Sequence, residues 1–330
     1  MKTTWFERAI FLSWYCATPD CTFCYMSTFK GKIKNPAMAK RSLASVCAEA
    51  FLAKKVGWKI EFITAGTKAL SNAEMEKTLK CIYEITGEKH LLNFGALTDQ
   101  QIQQFLPYIK GYCGTVECIN VEKRKEICPT KPIEPILETL KKSEHYDLKK
   151  AITIIIGIGE TEDDIPTLIE FIEEHKIDKL ILYALNPVHG TAFSQGPSKE
   201  YYLKWLTEIR KSFPHLYIVA GPWISRVDII HDLLEAGATS ITKFPAIKYF
   251  NSDAAKKIEE ECKIIGYKLQ GSMTSIPDFS LDEIDEFSFS EELKAQIKKK
   301  IQSYLLRMQA PSGKIWKEAT IPLQELQKEH

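Results

Sequence analysis

The stretch Ala151-Ile152-Thr153-Ile154-Ile155-Ile156-Gly157-Ile158-Gly159-Glu160-Thr161-Glu162-Asp163-Asp164 decides the fold. Its first six residues are an apolar, mostly β-branched run without polar alternation, as expected of a strand covered on both faces. Two glycines then break the run. Acids follow in what reads as the first turn of a helix, where they complement the helix dipole. A strand buried on both faces and followed at once by a helix is the unit of a parallel sheet. Working outward, the same unit recurs. Further apolar runs lie at 9–15, 59–65, 90–96, 114–121, 179–185, 216–221 and 239–244. Helical patterns fall at 42–56, 72–87, 98–109, 133–143, 162–176, 198–213, 225–236 and 252–265. Ser71 and Glu74 have capping-box spacing. Eight strand–helix units with right-handed crossovers close most naturally into a (β/α)8 TIM-type barrel, with a doubly wound open sheet as the rival.

No linker or low-complexity segment divides the chain before about residue 265, so residues 1–265 read as the barrel. Beyond it, 266–290 reads as a loop with acidic helix starts. Residues 291–309 read as an amphipathic helix, and a tail follows Pro311-Ser312-Gly313. Residues 266–330 are therefore expected to cap the barrel, with Lys298, Lys299 and Lys300 on a solvated face. The net charge of +1 over 330 residues gives no reason to expect a nucleic-acid groove or a polybasic membrane patch. The absence of a long apolar run or a signal-like N-terminus suggests a cytoplasmic protein.

Nine cysteines, an odd number, do not suggest a disulfide scaffold. Only Cys16, Cys21 and Cys24 are tightly spaced, in Trp14-Tyr15-Cys16-Ala17-Thr18-Pro19-Asp20-Cys21-Thr22-Phe23-Cys24-Tyr25, directly after the first strand. In a barrel, loops after strands build the catalytic face. Thiolates suit zinc or iron–sulfur clusters. A structural zinc normally needs four protein ligands, and the next candidates are Cys47, inside a helix, and His90, near a strand start. A 4Fe–4S cluster held by three cysteines leaves one iron open to the methionine part of S-adenosylmethionine (SAM).

These residues resemble the radical SAM superfamily, whose Cys-x3-Cys-x2-Cys motif carries an aromatic residue before its last cysteine, as Phe23 does here. The first gap departs from that motif: Ala17 to Asp20 make four residues. The turn containing Ile155, Gly157 and Glu160 resembles the Gly-x-Gly-Glu-Thr stretch of biotin synthase and its relatives. Leu185-Asn186-Pro187, continuing to Gly190-Thr191, is similar to their Asn-Pro-x-x-Gly-Thr loop. The resemblance implies that both stretches lie along the SAM adenosine. Ala65, Gly66 and Thr67 stand where the superfamily often has Gly-Gly-Glu for the SAM amino group, though no acid is present. Glu117, Asn120 and Glu122 stand where biotin synthase binds the ribose hydroxyls. The family's arginine for the SAM carboxylate is missing near Pro135, with Arg124 or Lys125 as substitutes.

The resemblance covers 9–265 and runs to the biotin synthase, HydE, HydG and tyrosine-lyase group. It implies SAM cleavage on a 4Fe–4S cluster, a small substrate inside the barrel, and a low-potential electron donor, ferredoxin or flavodoxin. The cysteine spacings that hold auxiliary clusters in biotin synthase and HydG are not found. Cys-x4-Cys-x2-Cys followed by Tyr-Met is similar to the HmdB (HcgA) group. That likeness implies a radical step in making the iron-guanylylpyridinol (FeGP) cofactor of Hmd hydrogenase. Two rivals stand beside it: a biotin-synthase-like enzyme acting on another substrate, and a zinc-binding scaffold without catalysis. Asn93, Tyr183 and Trp223 are candidates to face substrate by strand-end position alone, with core packing as the plainer role.

Overall fold

The computed structural model describes residues 2–309. β1 (Lys2–Trp5) and β2 (Glu7–Phe11) are separated by a single residue, Phe6. There follow α1 (Leu43–Val56), β3 (Lys59–Thr64), α2 (Asn72–Thr86), β4 (His90–Asn93), α3 (Asp99–Phe105) and β5 (Ile109–Glu117). Next come α4 (Val121–Ile127), α5 (Glu134–His145), β6 (Lys149–Ile156), α6 (Ile165–Glu174), β7 (Lys179–Ala184), α7 (Lys199–Ser212) and β8 (Tyr217–Gly221). The chain continues through α8 (Ile230–Glu235), β9 (Ser240–Ile241), α9 (Asp253–Ile264), β10 (Tyr267–Gln270) and α10 (Glu291–Gln309).

β2 to β9 form one parallel sheet in strict sequence order, the order a TIM-type barrel requires. The sheet curls until its ends meet. Phe6 bridges Ile241 in parallel, and Thr242 Oγ1 donates to the Glu7 carbonyl at 2.8 Å. The closure is fixed at the N-terminal end of the barrel by a buried Glu7 carboxylate. It takes bonds from Lys179, Tyr217 and Ser240 at 2.5, 2.8 and 2.7 Å. A buried charge needs such partners. This bottom plug is stabilising and leaves the opposite end for chemistry.

The helix starts follow their sequence signals. Ser71 and Glu74 make the reciprocal capping box that opens α2, and Ser198 caps α7. Gly57 and Gly87 terminate α1 and α2 in the left-handed conformation that glycine tolerates.

Several boundaries differ from the sequence reading. The first barrel strand ends at Phe11, so the cysteine segment is loop throughout. The run expected as a strand at 114–121 begins at Ile109 and stops at Glu117, because Asn120 caps α4. α3 is shorter than 98–109. The 225–236 helix begins as a 3-10 turn, Ile224–Ile229. β1 and β10 were not anticipated; they pair with each other, in parallel, outside the barrel. α10 lies at the end of the described chain and buries Ile297, Ile301, Tyr304 and Met308. The tail from Pro311 onward lies outside the described residues.

Candidate functional site

The loop after β2 is held in place by backbone bonds to its neighbours. Ala17 N–H donates to the Thr67 carbonyl, and Thr22 N–H to the Ile127 carbonyl, each at 2.9 Å. The Thr22 carbonyl in turn accepts from Ala192 N–H at 2.9 Å. The cysteine loop therefore follows a path defined by the loop after β3, the end of α4 and the loop after β7. Gly66 makes that path possible. A Cβ there would lie 2.0 Å from the Tyr15 carbonyl oxygen and 2.9 Å from Cys16 Cα. Only a residue without a side chain lets the loop after β3 press against the cysteine loop.

Cys16, Cys21 and Cys24 line one cavity of about 240 Å³ at the C-terminal end of the barrel. They are the half-buried cysteines of the chain; the other six are buried. Burial pushes the Cys24 thiol up to about 12, and the charges of Cys21 and Cys16 push the same way, so the three sulfurs sense one another. Among the described residues, no three His, Cys, Asp or Glu side chains are drawn together as a single metal ion would need. A fourth thiol that spacing did not single out is nearby: Cys128 hydrogen-bonds to Cys21.

The cavity collects many of the expected residues. Phe23 sits beside Cys24, and Ala65, Gly66 and Thr67 follow β3. Glu117, Ile155, Leu185 and Asn186 complete the rim and wall. Glu117, at a left-handed φ of 67°, pairs with Lys131 at 3.1 Å and accepts from Thr153 Oγ1 at 3.3 Å. Asn93, Tyr183 and Trp223 also face the cavity. Each is at the same time fixed in the wall. Asn93 bonds Thr64 and the Cys113 carbonyl at 3.0 and 3.1 Å, and the Trp223 indole donates to the Ala184 carbonyl at 2.9 Å.

Five expected residues are not among those lining the cavity. Asn120 is the N-cap of α4, accepting from Lys123 N–H and donating to Asp164 at 2.9 Å. Glu122 is exposed and paired with Lys125. Pro187 lies in the loop after β7, between lining residues Asn186 and Val188. Gly157 has φ 102°, and a Cβ there would meet Pro197 Cδ at 2.8 Å, so its glycine serves the turn. Glu160 folds its buried carboxylate back onto the amides of Gly157 and Ile158 at 2.5 and 2.9 Å. It shapes the turn from behind. Arg124 spends its guanidinium on the Val116 and Lys131 carbonyls, and Lys125 is exposed; neither lines the cavity, whereas Lys131 and Lys243 do.

Glu61 and Lys243 were missed by the sequence reading. Glu61, fully buried on β3, accepts from Tyr183 Oη at 2.5 Å and Thr242 Oγ1 at 2.6 Å. Burial pushes its carboxyl above the usual carboxylate range, against the pull of Lys243. Lys243 lies just past β9 with its Nζ 4.2 Å from the Tyr183 ring centre. A charged residue inside an otherwise apolar strand, as Glu61 is in KIEFIT, was the available signal.

A model of the Radical SAM superfamily matches residues 16–172, starting on the first cysteine of the loop. The chain belongs to the radical SAM superfamily. This radical SAM enzyme is 36% identical to the uncharacterized protein MJ0597 of Methanocaldococcus jannaschii, over 93% of this chain and 90% of that protein. It is 28% identical to a biotin synthase of Nitrosopumilus maritimus, over 67% of this chain and 70% of the synthase. In fold it is similar to the FeFe-hydrogenase maturase HydG of Carboxydothermus hydrogenoformans. The TM-score is 0.67 and the identity 15%, covering 92% of this chain and 78% of HydG. The superfamily uses a 4Fe–4S cluster and SAM. Three half-buried thiols on one pinned loop, lining one cavity beside an aromatic residue and a glycine-backed cradle, are a donor set that fits such a cluster.

Proposed function

We propose that Cys16, Cys21 and Cys24 hold a 4Fe–4S cluster and that the enzyme reductively cleaves SAM to act on a small substrate inside the barrel. When bound, the cluster and SAM would supply the radical chemistry, a one-electron reductive cleavage of the SAM sulfonium. The protein's share is position and exclusion of water. Phe23, Ala65, Gly66, Thr67, Ile155, Leu185 and Asn186 form the wall against which SAM lies. Glu117, held by Lys131 and Thr153, offers an acceptor to the ribose hydroxyls. Glu160 and Gly157 set the turn beneath. The observation that carries this reading is that the three cysteines reach one cavity on a loop pinned at three backbone bonds.

The same proposal has a ferredoxin or flavodoxin deliver the electron. Lys32 and Lys34 are exposed beyond the cysteine loop and offer positive charge to such an acidic donor. For the pathway, we propose a radical step in building the pyridinol of the FeGP cofactor of Hmd hydrogenase. The Cys-x4-Cys-x2-Cys spacing supports it. A biotin-synthase-like reaction on another small substrate is the second reading, supported by the sequence likeness to biotin synthase.

Anaerobic reconstitution tests the cluster. The wild type should gain iron and the visible absorbance of an iron–sulfur protein, and should form 5′-deoxyadenosine with SAM and dithionite. Cys16→Ala, Cys21→Ala and Cys24→Ala should lose both. Cys128→Ser should keep its iron, because its sulfur is not a ligand in this reading. If Cys128→Ser and Cys21→Ala are equally metal-free and the wild type binds zinc alone, the scaffold rival is correct.

A further inference from the structure

Of the two cations that line the cavity, Lys131 and Lys243, only Lys131 is matched to a carboxylate. Lys131 pairs with Glu117 at 3.1 Å, Lys179 with Glu7 at 2.5 Å, and Arg8 with Glu49 at 2.6 Å. The Nζ of Lys243 makes no hydrogen bond or ion pair with any described residue. It stands instead among rings: Tyr183 at 4.2 Å, Trp223 at 5.4 Å and Phe11 at 5.7 Å from their centres. Glu61 supplies the largest opposing charge, but its two oxygens are already taken by Tyr183 and Thr242.

The backbone is bent to produce this placement. Lys243 has φ 64° and Trp223 has φ 67° with ψ 167°. The latter is a region that residues other than glycine almost never enter. With Glu117, three of the non-glycine residues at positive φ line this one cavity, each just at or past the end of a barrel strand. Such outliers persist where the surrounding structure imposes them, and they cluster at functional sites. Gly221 completes the arrangement. A Cβ there would lie 2.4 Å from Tyr183 Cδ1 and 3.0 Å from Lys243 Cγ, so the missing side chain leaves room for lysine and ring to lie together.

We propose that Lys243 is the anchoring cation of the substrate site, pairing with the carboxylate of a small substrate whose apolar body lies against Phe11, Tyr183 and Trp223. This rests on the reading that substrate enters the barrel cavity. An ammonium drawn out of water without a counter-ion is costly, and a carboxylate arriving on the ligand removes that cost. Burial already pulls the Lys243 ammonium below its ordinary range, which a bound anion would reverse. A neutral ligand of the same shape gains the ring contacts alone.

The probes are benzoate and its neutral isostere benzamide, titrated calorimetrically into the full-length, cluster-reconstituted protein with SAM present. Benzoate should bind about tenfold more tightly than benzamide or better, a difference of about 1.4 kcal/mol. Lys243→Met should bring the two ligands to equal affinity, and Lys243→Arg should retain part of the preference. Equal affinities in the wild type, no binding of either probe, or a preference that survives Lys243→Met would each overturn the proposal. Because the wild type and Lys243→Arg are read alongside, a folding failure in Lys243→Met still leaves the result decided by those two. Failure of the wild type to form 5′-deoxyadenosine is a separate outcome. It would remove the radical reading without altering the benzoate measurement.

Discussion

Gly66 shows how one absent side chain governs the site. The 2.0 Å gap between its ideal Cβ and the Tyr15 carbonyl oxygen is filled by backbone on both sides, which cannot swing away as a flexible side chain would. Gly66→Ala must therefore separate the loop after β3 from the cysteine loop. Overpacking of this kind costs about 1–3 kcal/mol. The larger effect should be on the metal, because the displaced atoms belong to Tyr15 and Cys16. We expect Gly66→Ala to fold, with a lowered melting temperature, and to take up much less iron than the wild type on reconstitution. Full iron content in a folded Gly66→Ala protein would show that the contact does not position the ligand. Residues of this kind divide by legibility. The cysteines and the aromatic Phe23 were readable because their spacing along the chain is itself the signal. Glu61 and Lys243 lie 182 positions apart in the sequence. Each was hidden in an apolar run, and only barrel closure brings them both to Tyr183, Glu61 at its hydroxyl and Lys243 over its ring.

At the scale of elements, β4 carries a charge-sensitive group. His90 is 3% exposed; its Nε2 meets Thr86 Oγ1 at 3.0 Å and its Nδ1 has no partner among the described residues. Burial, with a smaller push from Lys110, lowers its pKa to about 3 from an ordinary 6.5. The native state holds it neutral while the unfolded chain takes up a proton below about pH 6.5. Its contribution is thus intact at neutral pH and is lost as pH falls, at about 1.4 kcal/mol per unit until about pH 3. Between pH 7 and pH 5 the wild type should lose about 2 kcal/mol from this residue. His90→Gln should show a correspondingly flatter acid limb in urea unfolding. An unchanged pH slope would mean that the imidazole already accepts a proton in the native state.

The pattern of strand and helix around β4 was legible because both faces of each barrel strand are covered, which makes apolar runs continuous. β1 and β10 were not. KTTW and YKLQ are short and partly polar, and among the described residues each pairs only with the other, 265 residues away. The first residue of α4, the apolar Val121, was read into a strand that in fact stops at Glu117, and the Asn120 cap was taken for a ligand.

At the scale of the whole molecule, the question is what covers α1. That helix buries residues all around its circumference, so the barrel alone cannot satisfy it. α10 packs on its other side. The contact is not only apolar. Tyr304 Oη meets Arg41 Nη2 at 3.0 Å and Ser45 Oγ at 2.8 Å, and Arg41 pairs with Glu49 at 2.5 Å. Glu49 also holds Arg8, which follows Glu7 on β2. A chain of buried polar contacts therefore runs from the last described helix to the first barrel strand, whose end leads into the cysteine loop. Tyr304→Phe removes only the hydroxyl and leaves Arg41 and Ser45 short of a partner, a loss of about 1–3 kcal/mol. Ending the chain at residue 290 also removes Ile297, Ile301 and Met308 and exposes the face of α1 they cover. Each buried aliphatic side chain contributes about 1.5–3 kcal/mol, so the loss approaches the whole stability of an ordinary domain. The truncated chain should be recovered insoluble or bind hydrophobic dye, whereas Tyr304→Phe should remain soluble with a lowered melting temperature and near-normal iron uptake. If the truncated protein instead melts cooperatively at the wild-type temperature, α10 is an appendage and the polar chain through Arg41 and Glu49 stands without it.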